Sequence, residues 1–134
     1  MKKTLFICAV LTLLLAISSL QCKSSGTSCN DVFCTQYVAS VGVHIEDRSM
    51  TPEALTVYTI RKSTGEKIAI TQNPLDGIYI VLADNYHLKI AGRTETFTFV
   101  GMKGSTKIFS ETYQIKADCC HVSKVSGKDS LIIP

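Results

Sequence analysis

The amino-acid sequence predicts an all-β fold, an antiparallel β-sandwich in one domain behind an N-terminal signal peptide. Three observations lead there. The chain has 134 residues, which permits one domain and leaves little room for a second. From residue 36 onward, apolar residues recur in short period-two runs cut by Gly, Pro, Asn and Asp. No stretch of that region sustains a helical period.

The elements follow in order. Tyr37, Ala39, Val41, Val43 and Ile45 alternate with Val38, Ser40, Gly42, His44 and Glu46, which reads as a half-buried strand. Glu46 to Ser49 turns the chain. Thr51-Pro52-Glu53-Ala54 suits one short helix, with Thr51 as its cap and Pro52 in its first turn. Leu55 to Ile60 has the Val, Tyr, Thr and Ile content of a strand. Ser63-Thr64-Gly65-Glu66 reverses it into Lys67 to Thr71, and Asn73-Pro74-Leu75-Asp76-Gly77 breaks it. Ile78 to Leu82 is almost continuously apolar and reads as a central strand. Asp84-Asn85 fits a tight hairpin, with Tyr86, Leu88 and Ile90 alternating after it.

Gly92 separates that strand from Thr94 to Val100, where Phe97 and Phe99 share a face. Gly101 and Gly104 bracket the next reversal. Lys107 to Ala117 places Phe109, Tyr113 and Ile115 on one face, and Glu111 interrupts it, so the strand is bulged or partly exposed there. Cys119 to Val125, Ser126-Gly127 and Ser130 to Ile133 read as a last hairpin. Eight or nine strands in this length indicate a sandwich, with an up-and-down barrel as the alternative.

Before this domain lies a leader. Met1-Lys2-Lys3 is basic, Leu5 to Ile17 is apolar, and Ser18 and Ser19 are small. An apolar run of about 13 residues is short for a bilayer-spanning helix. The layout predicts a signal peptide over residues 1–21, a lipidated Cys22 with a flexible tether over 22–35, and the β-sandwich over 36–134. The net charge is +3, but Lys2 and Lys3 leave with the leader. The nearly balanced remainder argues against nucleic acid as a partner.

Of six cysteines, Cys8 lies in the leader. Cys29, Cys34, Cys119 and Cys120 remain as disulfide candidates beside Cys22. A bridge between the neighbours Cys119 and Cys120 is disfavoured, because their Cα atoms are about 3.8 Å apart and unstrained bridges span about 4.4–6.8 Å. The other two pairings both tie the N-terminal segment to the end of the domain. Either closes a loop worth about 4–5 kcal/mol in chain entropy. Cys29, Cys34, Cys119 and His121 form an alternative zinc set, since Cys119 and His121 share a face of a strand.

Ser19-Leu20-Gln21-Cys22 resembles the lipobox of bacterial lipoproteins. The Gly/Ser-rich stretch Lys23 to Ser28 resembles their tether. The stretch Val43-His44-Ile45-Glu46-Asp47, Pro52, Leu55 to Ile60 and Thr64-Gly65-Glu66 resembles transthyretin-like and carboxypeptidase-regulatory-like domains. The whole layout, with Asp118-Cys119-Cys120-His121-Val122 near its end, is similar to small bacterial envelope lipoproteins. The resemblance implies an immunoglobulin-like or transthyretin-like sandwich and an accessory role without an assigned activity. It implies an exported chain, lipid-anchored at the outer membrane or on the periplasmic side, with a soluble periplasmic or secreted form as the alternative.

Catalysis is not expected. The chain carries no nucleophile elbow, phosphate-binding loop or His-Glu-x-x-His helix. Cys119 or Cys120 with a nearby histidine would be the only nucleophilic pair, and an oxidising compartment favours bridging them. Tyr58, Tyr79 and Tyr86 are candidate sugar platforms, but the chain has no Trp and the three read better as sheet residues. His44 and His87 are expected to point outward. No Asp-rich calcium run and no cofactor motif is present. Two functions therefore stand: a membrane-tethered structural or binding module with an envelope protein as partner, and a zinc- or redox-responsive protein using Cys29, Cys34, Cys119, Cys120 and His121.

Overall fold

The longest feature of the computed structural model is a hairpin of β5 (Arg93–Lys103) and β6 (Thr106–Ala117). It closes through Gly104, whose φ of 53° suits a residue without a side chain. The structure describes residues 29–48, 54–70, 72, 74 and 76–134. The expected short helix at Thr51 to Ala54 falls largely outside them, as does Cys22.

Around this hairpin forms a five-stranded antiparallel sheet, in the order β3 (Lys67–Ile68), β2 (Leu55–Arg61), β5, β6, β7 (Val122–Ser126). A second, three-stranded sheet runs β4 (Ile78–Ala83), β1 (Ser40–Asp47), β8 (Ser130–Ile133). The two sheets face each other across one core, so the fold is an all-β sandwich and not a closed barrel. Period-two alternation supplies that core. Val41, Val43 and Ile45 come from β1, and Leu131 and Ile133 from β8. Phe97 and Phe99 from β5 and Tyr113 and Ile115 from β6 meet them from the other side, fully buried. Inside the core, the Thr59 hydroxyl donates to the Val81 carbonyl at 2.6 Å, linking β2 to β4. Every described strand and core residue lies between residues 40 and 134, so this part holds its own core.

Several expectations change. Ile78 to Leu82 is not central: β4 is an edge strand, and its outer side is covered by Gln72. The Gln72 amide donates to the Ile80 carbonyl at 2.8 Å and accepts from the Ile80 N–H at 2.9 Å, imitating a neighbouring strand. Asp84-Asn85 does not make a tight hairpin. Asp84–Tyr86 forms a 3-10 turn that runs into the short helix α1 (His87–Ile90). Here the chain crosses between the sheets, and Tyr86 and Ile90 enter the core from a helical turn. Tyr86 is therefore no sheet residue. Its hydroxyl donates to Glu66, while Tyr58 and Tyr79 do lie in strands.

The last hairpin is also absent. β7 pairs with β6 in the large sheet, whereas β8 pairs with β1, in parallel, in the small one. The crossing passes through Gly127, with φ of 132°, against the buried Tyr113 ring. The Tyr113 hydroxyl donates to the Lys128 carbonyl at 3.0 Å and holds the crossing in place. Burial, with help from Glu111 and Asp129, pushes the Tyr113 pKa up to about 12. The β5–β6 register shifts beside Gly101, where the Phe109 ring lies over the backbone. Past this irregularity Glu111 is half-buried and paired with Lys128 at 2.7 Å, in line with the interrupted face.

Candidate functional site

The turn Asp118 to His121 joins β6 to β7 and carries the adjacent cysteines. One Asp118 carboxylate oxygen accepts from the Cys120 and His121 N–H groups, each at 2.7 Å. These bonds hold its pKa below the usual carboxylate range. An aspartate bonding to backbone N–H groups two and three residues on makes a tight local turn. The turn lets neighbouring cysteines reach different partners. Cys119 bonds Cys29 and Cys120 bonds Cys34, each pair with Cα atoms 5.3 Å apart, an ordinary span. The pairing left open by the sequence is thus settled.

The bridges overturn the zinc set. Cys29, Cys34 and Cys119 are halves of cystines and offer no thiolate. His121 is engaged on both ring nitrogens, with Asp84 at 2.8 Å and Thr35 at 3.1 Å. A Cys–His nucleophilic pair loses its thiol for the same reason. The bridges also move the tether boundary. Attachment to the domain begins at Cys29, ahead of the expected limit at 36.

Asp84 is the functional-looking residue that the sequence reading missed. It is buried, and its two carboxylate oxygens accept from the N–H of Ala39 at 2.5 Å, the N–H of Val122 at 2.7 Å and the His121 ring. Its own N–H donates to the Ala39 carbonyl at 3.1 Å. Burial raises the Asp84 pKa, but the bonds to His121, Val122 and Ala39 outweigh it, and the result lies below the usual value. One carboxylate thus joins the lead-in to β1, the sheet crossing after β4 and the start of β7. An acid directly after the apolar run 78–83 was the available signal, since such a position must be satisfied or exposed. His87 also turns back here, its Nδ1 against the Asp84 carbonyl, and is half-buried where outward exposure was expected. His44 is exposed, as its strand face requires.

Thr35 Oγ1, the His121 ring and the Asp84 carboxylate lie in series, so the Thr35 hydroxyl is polarised by an imidazole that a carboxylate orients. Asp84 spends most of its capacity on backbone N–H groups, which makes the series foremost a clamp on the stapled segment. Beside it opens a cleft of about 750 Å³, lined by Val32, Phe33, Thr35, Arg93, Lys116 and Asp118 among others. Val32 and Phe33 are exposed, and Tyr37, also exposed, sets its ring edge-on 6.1 Å from His121. The tyrosines weighed as candidate platforms do not share this region: Tyr86 is buried and Tyr58 is covered by Lys67 at 3.9 Å.

No protein-family model matches the chain, and no curated protein or solved structure is similar to it.

Proposed function

We propose that the chain is an exported envelope lipoprotein, anchored through Cys22, whose sandwich serves as a structural or binding module. The observation that carries this reading is the pair of cystines between residues 29 and 34 and the turn at 119–120. Structural disulfides persist in oxidising, exported compartments. They also give an anchored chain a firm junction, because a pull on the tether ends at Cys29 and does not peel β1 away from the core. The lipobox-like Ser19-Leu20-Gln21-Cys22 and the polar stretch after it support the same reading. The exposed apolar side chains Val32, Phe33 and Tyr37 suit contact with a partner.

The test is acylation. A bacterial cell expressing the full chain is fed a labelled fatty acid, and the protein is captured under denaturing conditions. Label should be found in the native chain and be lost in Cys22→Ser. A native chain without label would overturn the anchor. A mass gain of about 4 Da on reduction of the native protein checks that both bridges form in the exported protein.

A further inference from the structure

We infer that the end of the sandwich carrying Val32, Phe33, Arg93 and Lys116 docks directly onto an anionic lipid surface. The inference rests on the anchored reading for its orientation and adds a contact that the anchor alone does not require.

Apolar exposure is concentrated there. Phe33 is fully exposed, Tyr37 and Val38 are each 73 % exposed, and Val32 is about half exposed at 49 %. Val32 and Phe33 lie in a segment stapled on both sides, by Cys29 and Cys34, so the ring is presented from a fixed backbone. Holding Phe33 and Val32 in water gains nothing for folding, and inserting them at a membrane interface removes apolar area from water.

Charge agrees with this occupant. Arg93 and Lys116 line the same cleft as Val32 and Phe33, and both are exposed. The Arg93 guanidinium donates to the Lys89 carbonyl at 2.8 Å and lies 3.9 Å from Glu95, whose carboxylate is already held by Arg61 and Ser63. The acids nearby are Asp118, committed to backbone N–H groups, the buried Asp84, committed to Ala39, Val122 and His121, and the exposed Asp31. Apolar side chains beside basic ones are the mark of an interfacial contact with anionic headgroups. Reach supplies the third argument. From Cys22 to Cys29 a fully extended chain spans at most about 25 Å, so an anchored domain keeps this end near the bilayer.

The experiment uses residues 22–134 carrying Cys22→Ser, oxidised so that both bridges are closed, and therefore without a lipid. It is sedimented with vesicles of phosphatidylcholine alone and with about one third phosphatidylglycerol added. The expected result is at least about fivefold more bound protein on the anionic vesicles, falling at higher salt. Val32→Ser with Phe33→Ser should reduce binding to background, and Arg93→Gln with Lys116→Gln should abolish the anionic preference. All four side chains are exposed, so circular dichroism and a thiol count serve as folding controls. Absence of binding, or binding unchanged by both pairs of substitutions, would overturn the proposal. The acylation test is separate: label at Cys22 without vesicle binding leaves the anchor and removes the docking, and vesicle binding without label does the reverse.

Discussion

The two sheets of this sandwich are held together in different ways. In the five-stranded sheet, β2–β3, β5–β6 and β6–β7 are neighbours in sequence and in space. One of its buried charges is also paired within the sheet: Arg61 donates to Glu95 at 2.6 Å, and this raises the arginine pKa and lowers that of the glutamate. In the three-stranded sheet, β1 pairs with β4 and β8, both far along the chain, and β8 is a four-residue parallel edge. Such pairings close long loops and carry their entropy cost. The links that offset it sit outside the ladder. They are the two cystines, the Asp84 clamp, and the buried Lys103 of β5, whose ammonium meets Asp47 of β1 at 2.7 Å. One sheet is organised by local pattern, the other by long-range links.

Cutting the cystines is the strongest way to break that contrast. The bridges run side by side, with sequence separations of 90 and 86. Once one is closed, the other closes only a small ring. Chain-entropy arithmetic then gives about 2 kcal/mol for losing either bridge and about 7 kcal/mol for losing both, comparable to the stability of a whole domain. Urea unfolding of Cys34→Ala/Cys120→Ala, Cys29→Ala/Cys119→Ala and the fourfold variant checks this. A fourfold loss equal to the sum of the two smaller losses would show that the bridges act independently. In the single-bridge variants, native-state hydrogen exchange should open β1 and β8 before β5 and β6.

A smaller effect is expected at the turns. Gly127, where the chain changes sheet, has a φ of 132°, and an added Cβ would lie 2.2 Å from a Tyr113 ring carbon. Gly65, in the local β2–β3 hairpin, has a φ of 73° and open space around it. Gly127→Ala should cost about 3 kcal/mol through strain and displacement of a buried ring, and Gly65→Ala about 1 kcal/mol through strain alone. Thermal unfolding of the two variants compares them, and equal losses would mean that the crossing is no more constrained than the hairpin.

The same contrast decides how much could be read from the sequence. Alternation located β1, β2, β5 and β6, and Phe97, Phe99, Tyr113 and Ile115 are core as their parity demands. Turn residues located Gly65 and Gly104, because a local reversal leaves its mark in local residues. The 84–90 segment was misread because Tyr86, Leu88 and Ile90 alternate like a strand, while the decisive interaction is Asp84 with Ala39 and Val122. The last hairpin was misread because Ser126-Gly127 is good turn chemistry, while Tyr113, far back in the chain, decides where β8 goes. At the site, the four cysteines and His121 were visible as a group. Their pairing depends on the Asp118 turn, and Thr35 and Asp84 join only through the fold.

Acid is the perturbation that isolates the Asp84 clamp. The folded-state pKa of Asp84 is lowered, so its contribution to stability is fully present above the unfolded value of about 3.9 and is lost as pH falls through the folded value. Asp84→Asn brings an NH2 group against the N–H donors of Ala39 or Val122, and should cost about 2 kcal/mol at neutral pH. Glu95 and Asp118 are also lowered, so both proteins lose stability in acid, and the informative quantity is the difference between them. That difference should shrink as pH falls below about 4, since the protonated carboxyl of the native protein then resembles the amide. Urea midpoints from pH 7 to pH 2 measure it. A difference that stays constant over that range would mean that the Asp84 charge does not hold the small sheet to the large one, and the clamp would reduce to its shape.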